Sequence, residues 1–185
     1  MIKIPHRFLL ITTFALALPA VNAQAQAVTQ VANQAANQAA TQTAMVISTA
    51  GFGDIKIGMT LEDAQKALGE PLRKVSAQSD AACFYTPASQ ERLVVRVKAG
   101  KVVSVDTSSA QAGVTRSGLR VGDPADKAKS IYSKEPSYKE STSPFDKRPV
   151  VTVGGGANQV AVASHDGKVD LIRVGIASDL WGRCE

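Results

Sequence analysis

The chain has 185 residues, with 21 Lys and Arg against 16 Asp and Glu, a formal charge of +5, and only two cysteines and two histidines. So mild a positive charge, scattered along the chain, argues against a nucleic-acid footprint. Two histidines and two distant cysteines without a CxxC pair make a metal or redox centre a poor reading, and no cofactor is implied.

The chain opens with the short basic segment Met1 to Arg7, an apolar run from Phe8 to Ala20, and the small residues Val21-Asn22-Ala23. Residues 1–23 therefore read as a signal peptide cut before Gln24, a cut after Ala25 being the second choice. The apolar run is too short to span a bilayer, so no transmembrane segment is expected. No cysteine stands near the cut for a lipid anchor, and the expected location is periplasmic or secreted. Loss of Lys3 and Arg7 with the leader leaves a net charge of about +3. Residues 24–46 are nearly all Gln, Ala, Asn, Val and Thr, with no large apolar stripe and no charge pairs; they read as a mobile spacer.

Two units follow, each opened by the same kind of signature. Ile57-Gly58-Met59-Thr60-Leu61 begins one and Val121-Gly122-Asp123-Pro124-Ala125 the other. In the first repeat, 47–112, Thr60 is placed to cap a helix with Asp63 in its first turn. Leu61, Ala64, Ala67 and Leu68 form its buried stripe, and Gly69-Glu70-Pro71 ends it. In the second repeat, 113–185, Asp123 is expected to cap and Pro124 to take the first helical position. Ala125, Ala128, Ile131 and Tyr132 form the face to be buried. Both helices are too short to hold alone, so each must lie on a sheet.

Valine-rich strands come after each helix. Ala82 to Tyr85 is one; Leu93 to Val97 and Val102 to Val105 flank a turn at Lys98-Ala99-Gly100-Lys101. In the second repeat Val150 to Val153 leads into Gly154-Gly155-Gly156, and Val160 to Ala163 and Val169 to Val174 flank His165-Asp166-Gly167-Lys168. The expected fold class is α+β: two tandem helix-plus-antiparallel-strand repeats packed as one domain, forming one continuous sheet with short helices on one side. The opposite face would be bare, and Arg92, Arg96, Lys98 and Lys101 read as its solvated charges.

Little in this pattern promises catalysis. Gly154-Gly155-Gly156 lacks the lysine and hydroxyl of a phosphate loop and runs into a strand. His165-Asp166 sits in a hairpin turn, and Ser164 beside it points to the other sheet face, a poor nucleophile–base geometry. The carboxylates near the helix starts are better explained by capping. In an oxidising compartment Cys83 and Cys184 are expected to pair. That bond would tie the tail, with Trp181, to the first repeat. The longest polar interruption, Tyr138 to Arg148, reads as a loop with Tyr138, Phe145, Lys147 and Arg148 as partner-binding anchors.

The phrase Ile57-Gly58-Met59-Thr60-Leu61-Glu62-Asp63-Ala64, continuing to Leu68-Gly69-Glu70-Pro71, resembles the helix opening of the β-lactamase-inhibitor-protein-like domains and of the small outer-membrane assembly lipoproteins. The duplication is more similar to the former, which implies two helix-plus-four-strand units sharing a concave sheet. The second copy keeps Gly122 but has Asp123-Pro124 in place of Met-Thr. Function is therefore expected to be non-catalytic: binding of a protein or cell-envelope partner through the sheet face or the 138–148 loop. An inhibitor of an envelope or secreted enzyme and a hydrolase of an envelope substrate stand as alternatives.

Overall fold

Residues 45–75, 82–87 and 93–182 are described by a computed structural model, with 82–84 described by backbone alone. The expected leader, most of the expected spacer, Arg92 and Cys184 lie outside the described residues. The expected Cys83–Cys184 bond lies outside them too, because Cys83 is placed only as backbone. The class is α+β: two sheets and two short α-helices among the described residues. No helix among the described residues is long and apolar enough to cross a membrane.

Local chemistry sets the first helix, α1 (Leu61–Leu68). The Thr60 hydroxyl accepts from the Asp63 N–H at 3.1 Å, and Gly69 closes the helix in the left-handed conformation at φ 71°. The second helix, α2 (Ala125–Tyr132), has Pro124 as its N-cap with no side-chain cap bond. Asp123 is thus not the cap expected from the sequence. Its carboxylate accepts from the Arg120 N–H and from Lys127, both at 2.8 Å, and bridges the preceding turn to the helix instead.

Four strands follow α1: β4 (Leu72–Lys74), β5 (Ala82–Pro87), β6 (Val94–Lys98) and β7 (Lys101–Thr107). Four follow α2: β9 (Lys139–Thr142), β10 (Pro149–Val153), β11 (Asn158–His165) and β12 (Lys168–Ile176). All eight join in one antiparallel sheet ordered β4-β5-β6-β7-β12-β11-β10-β9, its halves meeting where Val105 faces Val174. The entry to each helix is held alike. Gly58 N donates to Val102 O at 2.7 Å and Val102 N to Met59 O at 2.8 Å; Gly122 N donates to Val169 O at 2.7 Å and Val169 N to Asp123 O at 2.8 Å. Gly58 and Gly122 both stand at φ 92°, which only glycine adopts without strain.

Two expectations need correction. The sheet is not single: β1 (Met45–Ser48), β2 (Gly51–Phe52), β3 (Ile55–Lys56) and β8 (Gly113–Thr115) form a separate four-stranded sheet in which β1 and β8 run parallel. Parallel pairing of two short strands so far apart in sequence leaves no local pattern to read. The 138–148 segment is not all loop, because Lys139–Thr142 pairs with β10 as the sheet's edge. Backbone pairing is indifferent to side-chain polarity there, and an exposed polar edge strand resists wrong pairing.

One apolar core lies between the helices, the small sheet and one face of the large sheet. Phe52, Ile55, Ala64, Val95, Val105, Leu119, Ala128, Val162 and Ile172 are buried in it, and Leu61, Leu68 and Ile131 pack against it half-buried. Strand alternation sends the intervening residues of the large sheet to the other face.

Candidate functional site

That other face is neither bare nor uniformly solvated. Arg96, expected among the solvated charges, is 1% exposed. Its Nε donates to Ser104 Oγ at 3.3 Å, its Nη1 to Asp179 Oδ2 at 3.2 Å, and its Nη2 to the Asp179 carbonyl. The cover is the segment that follows β12: a 3-10 turn at Ala177–Asp179, then Leu180 and Trp181. Leu180 is buried with Val150, Ala161 and Ala163 in a second apolar cluster on this side, and Trp181 packs against it. Gly182 is a close-approach position, where a Cβ would lie 2.6 Å from Arg96 Nη1.

Arg173, on β12, repeats the theme two strands over. Its Nη2 meets Asp106 Oδ2 at 3.1 Å, its Nη1 donates to Leu180 O at 3.1 Å, and its guanidinium sits 5.0 Å from the centre of the Trp181 ring. Such a cation over an indole face is attracted by the ring quadrupole. Burial raises the Asp106 carboxyl above the ordinary value, with the Arg173 charge opposing. Asp106 Oδ1 and Arg173 Nε are buried and have no hydrogen-bond partner among the described residues.

The outer part of the face is aromatic and basic. Phe145 is 44% exposed and meets Trp181 edge-on, ring centres 6.4 Å apart. Arg148 bonds Asp146 through Nε at 2.6 Å and also reaches Asp170 on β12. The Arg148 hydrogen bonds hold the Asp146 carboxyl well below the usual carboxylate range. Lys147, at φ 61°, stands exposed at the tip of this turn. Three of the four anchors chosen from sequence, Phe145, Lys147 and Arg148, therefore lie together. Tyr138 does not join them: it packs against the helix-side core, and its hydroxyl donates to Glu140 Oε1 at 2.5 Å. Trp181 and Arg173 complete the patch and were not picked as binding residues. For Arg173 the available signal is an arginine set inside a valine-rich strand in each half, Val95-Arg96-Val97 and Ile172-Arg173-Val174; for Trp181 there is none.

Two clefts are found among the described residues, one of them bordering this patch. One, of about 340 Å³, lies between the start of α2 and the Asp146–Arg148 turn and includes His165, whose side chain is 70% exposed. The other, of about 420 Å³, lies where the end of α2 meets β8 and the Gly154-Gly155 segment.

No family model matches the sequence, and no curated protein matches it. Among solved structures, an extracellular protein containing an SCP domain from Bacillus anthracis is similar in fold, with a TM-score of 0.50 at 12% identity over 67% of this chain and 45% of that one. A cysteine-rich secretory protein from Staphylococcus aureus gives 0.45 at 16% identity over 67% and 46% of the two chains. The DUF4309 family protein YjgB from Bacillus subtilis gives 0.49 at 12% identity over 73% and 89%. The matches to the first two cover less than half the length of those proteins. At such identities the likeness is one of fold alone.

Proposed function

We propose that the protein is an exported, non-catalytic binding module that meets a protein or cell-envelope partner through Phe145, Trp181, Lys147 and Arg148. The observation that carries this reading is Phe145, a large apolar ring left 44% exposed yet held edge-on against an indole that Arg173 fixes from beneath. Rigid aromatics beside arginine are the side chains that dominate interface energy, because they bury much area for little lost freedom. The reading places the protein in the periplasm or outside the cell, on the strength of the leader pattern. It includes a Cys83–Cys184 bond, which would hold the end of the chain over the sheet. It also takes the two halves as a duplicated unit of the β-lactamase-inhibitor-protein-like kind, supported by the matched hydrogen bonds at Gly58 and Gly122. An inhibitor of an envelope or secreted enzyme is one form such a module takes.

The test is capture from an envelope extract by the immobilised protein, compared with Phe145→Ala and Arg148→Ala. The expected result is a retained species that both substitutions release, at a cost on the order of tenfold in affinity each. Retention unchanged in both variants would overturn the reading.

A further inference from the structure

The cleft at the end of α2 is built from five separate stretches of chain, and Ser48, Thr49, Thr115, Ser117, Tyr132 and Ser137 bring hydroxyls to its lining. At its floor the Tyr132 ring is buried, its phenol bonded to the side chains of Thr115 and Ser117. Arg116 and Glu135 stand at its exposed margin, and among the described residues neither side chain has an ion-pair partner. This contrasts with the sheet face, where Arg96, Arg148 and Arg173 are each matched to a carboxylate.

The glycines of the third wall are not equivalent. Gly154 is required by the fold: its φ is 123°, and a Cβ there would lie 2.8 Å from Thr49 Cγ2. Gly156 has φ 92°, again a glycine conformation. Gly155 has neither reason. Its φ is outside the left-handed region, and an added Cβ would meet nothing within 4 Å. Its backbone has no hydrogen-bond partner among the described residues. A bare, accessible peptide unit thus faces a cleft that also carries one unpaired cation, one unpaired anion and several hydroxyls.

From this we infer that the cleft is a binding site for a small zwitterionic ligand of the amino-acid or short-peptide class. The ligand carboxylate pairs with Arg116, whose planar guanidinium suits it. The ammonium pairs with Glu135, and the amide of the ligand is met by the hydroxyls and the Gly155 backbone. A neutral sugar would use the hydroxyls but leave both charges idle. The site is separate from the Phe145 and Trp181 patch, so either can stand without the other.

The experiment is amide chemical-shift titration of the isotope-labelled protein with three probes: alanyl-alanine, the same dipeptide acetylated and amidated at its ends, and maltose. The expected result is saturable shifts at Thr115 to Ser117 and Gly154 to Gly155 with the free dipeptide only, in the millimolar range typical of so small a ligand. Arg116→Gln and Glu135→Gln should each weaken binding at least about fivefold, the loss of one charge-assisted contact. Gly155→Leu adds bulk at the lining, where an added Cβ meets nothing within 4 Å, and should weaken binding at least about fivefold while leaving the rest of the spectrum unchanged. Absence of shifts, equal binding of the blocked dipeptide, a preference for maltose, or full affinity in the charge variants would each overturn the inference.

Discussion

The two faces of the eight-stranded sheet solve the same burial problem with different chemistry. On the helix side the residues are apolar, and Phe52, Leu119, Val95 and Ile172 are essentially inaccessible. On the other side Arg96 is as deeply buried as any of them, yet its surroundings are Ser104, Asp179 and the terminal turn. The apolar face is held by area and close packing, which act without direction. The other face is held by a few directed contacts between one segment and one sheet, together with the small apolar cluster of Val150, Ala161, Ala163 and Leu180, and its cover is expected to come away before the core dissolves. The difference teaches that this chain has one interior for stability and a second for positioning its exposed patch.

The largest effect should come from the first interior. Phe52→Ala removes a fully buried ring that packs against Gly113, and a cost of about 4 kcal/mol is expected from lost transfer energy and the cavity left behind. Urea unfolding would read it as a lower midpoint with an unchanged slope. Arg96→Met should cost less, about 3 kcal/mol, because it leaves Asp179 without its principal partner. Its distinguishing mark is local: the sole tryptophan, Trp181, should redden in emission before the global transition. Arg96→Met with Asp179→Leu should recover much of the loss, since a shape-matched apolar pair replaces an ion pair without an orphan charge. If Phe52→Ala shifted Trp181 emission early and Arg96→Met did not, the two interiors would not be separable.

How much of this was legible follows from how local each signal is. Thr60 and Gly69 announce the ends of α1 because a cap is written within a few residues of the helix it serves. The turns at Ala99-Gly100 and Asp166-Gly167 are equally local, each pair at positive φ. Arg96 was misread because alternation gives the face a residue takes, and it does not say what later covers that face. The covering residues come some eighty positions on, at Asp179 to Trp181. For the candidate patch, Phe145, Lys147 and Arg148 were found as polar-loop residues, whereas Trp181 and Arg173 join them only through tertiary packing. The hydroxyl cleft was invisible for the same reason: Thr115, Tyr132 and Gly155 have no sequence relation to one another.

Acid should separate two kinds of carboxylate, one buried on the polar face and one hydrogen-bonded at the surface. Asp106 has its pKa raised by burial, so the folded state binds its proton more readily than the unfolded chain does. Its contribution to stability therefore grows as pH falls through the window from the ordinary aspartate value up to its elevated one, and shrinks as pH rises through it. Asp146 and Asp123 behave oppositely. Hydrogen bonds from Arg148 and Lys127 lower their pKa values, and the stability they add is lost as pH falls from the ordinary value through the depressed one. Carboxyl-carbon titration should place the Asp106 midpoint above that of a free aspartate and the other two below it. An Asp106 midpoint at or below the free value would mean that Arg173 outweighs desolvation.

The smallest effects concern the helices that cover the apolar face, and they test whether the two halves are energetically alike. Thr60→Ala removes the hydroxyl that accepts from Asp63 N and should cost about 1 kcal/mol. At the corresponding place in the second half, Pro124 offers no side-chain acceptor. Pro124→Ser supplies one, a gain of about 1 kcal/mol, while freeing the unfolded chain at that position costs about 0.5 kcal/mol. The net expectation is a stabilisation of about 0.5 kcal/mol, read from paired unfolding curves. A clear destabilisation by Pro124→Ser would show that the proline, at the point where Pro124 bridges to Lys168 and Ala125 N donates to Gly167 O, anchors α2 in place of a cap. The two helices would then be alike in position and unlike in what holds them.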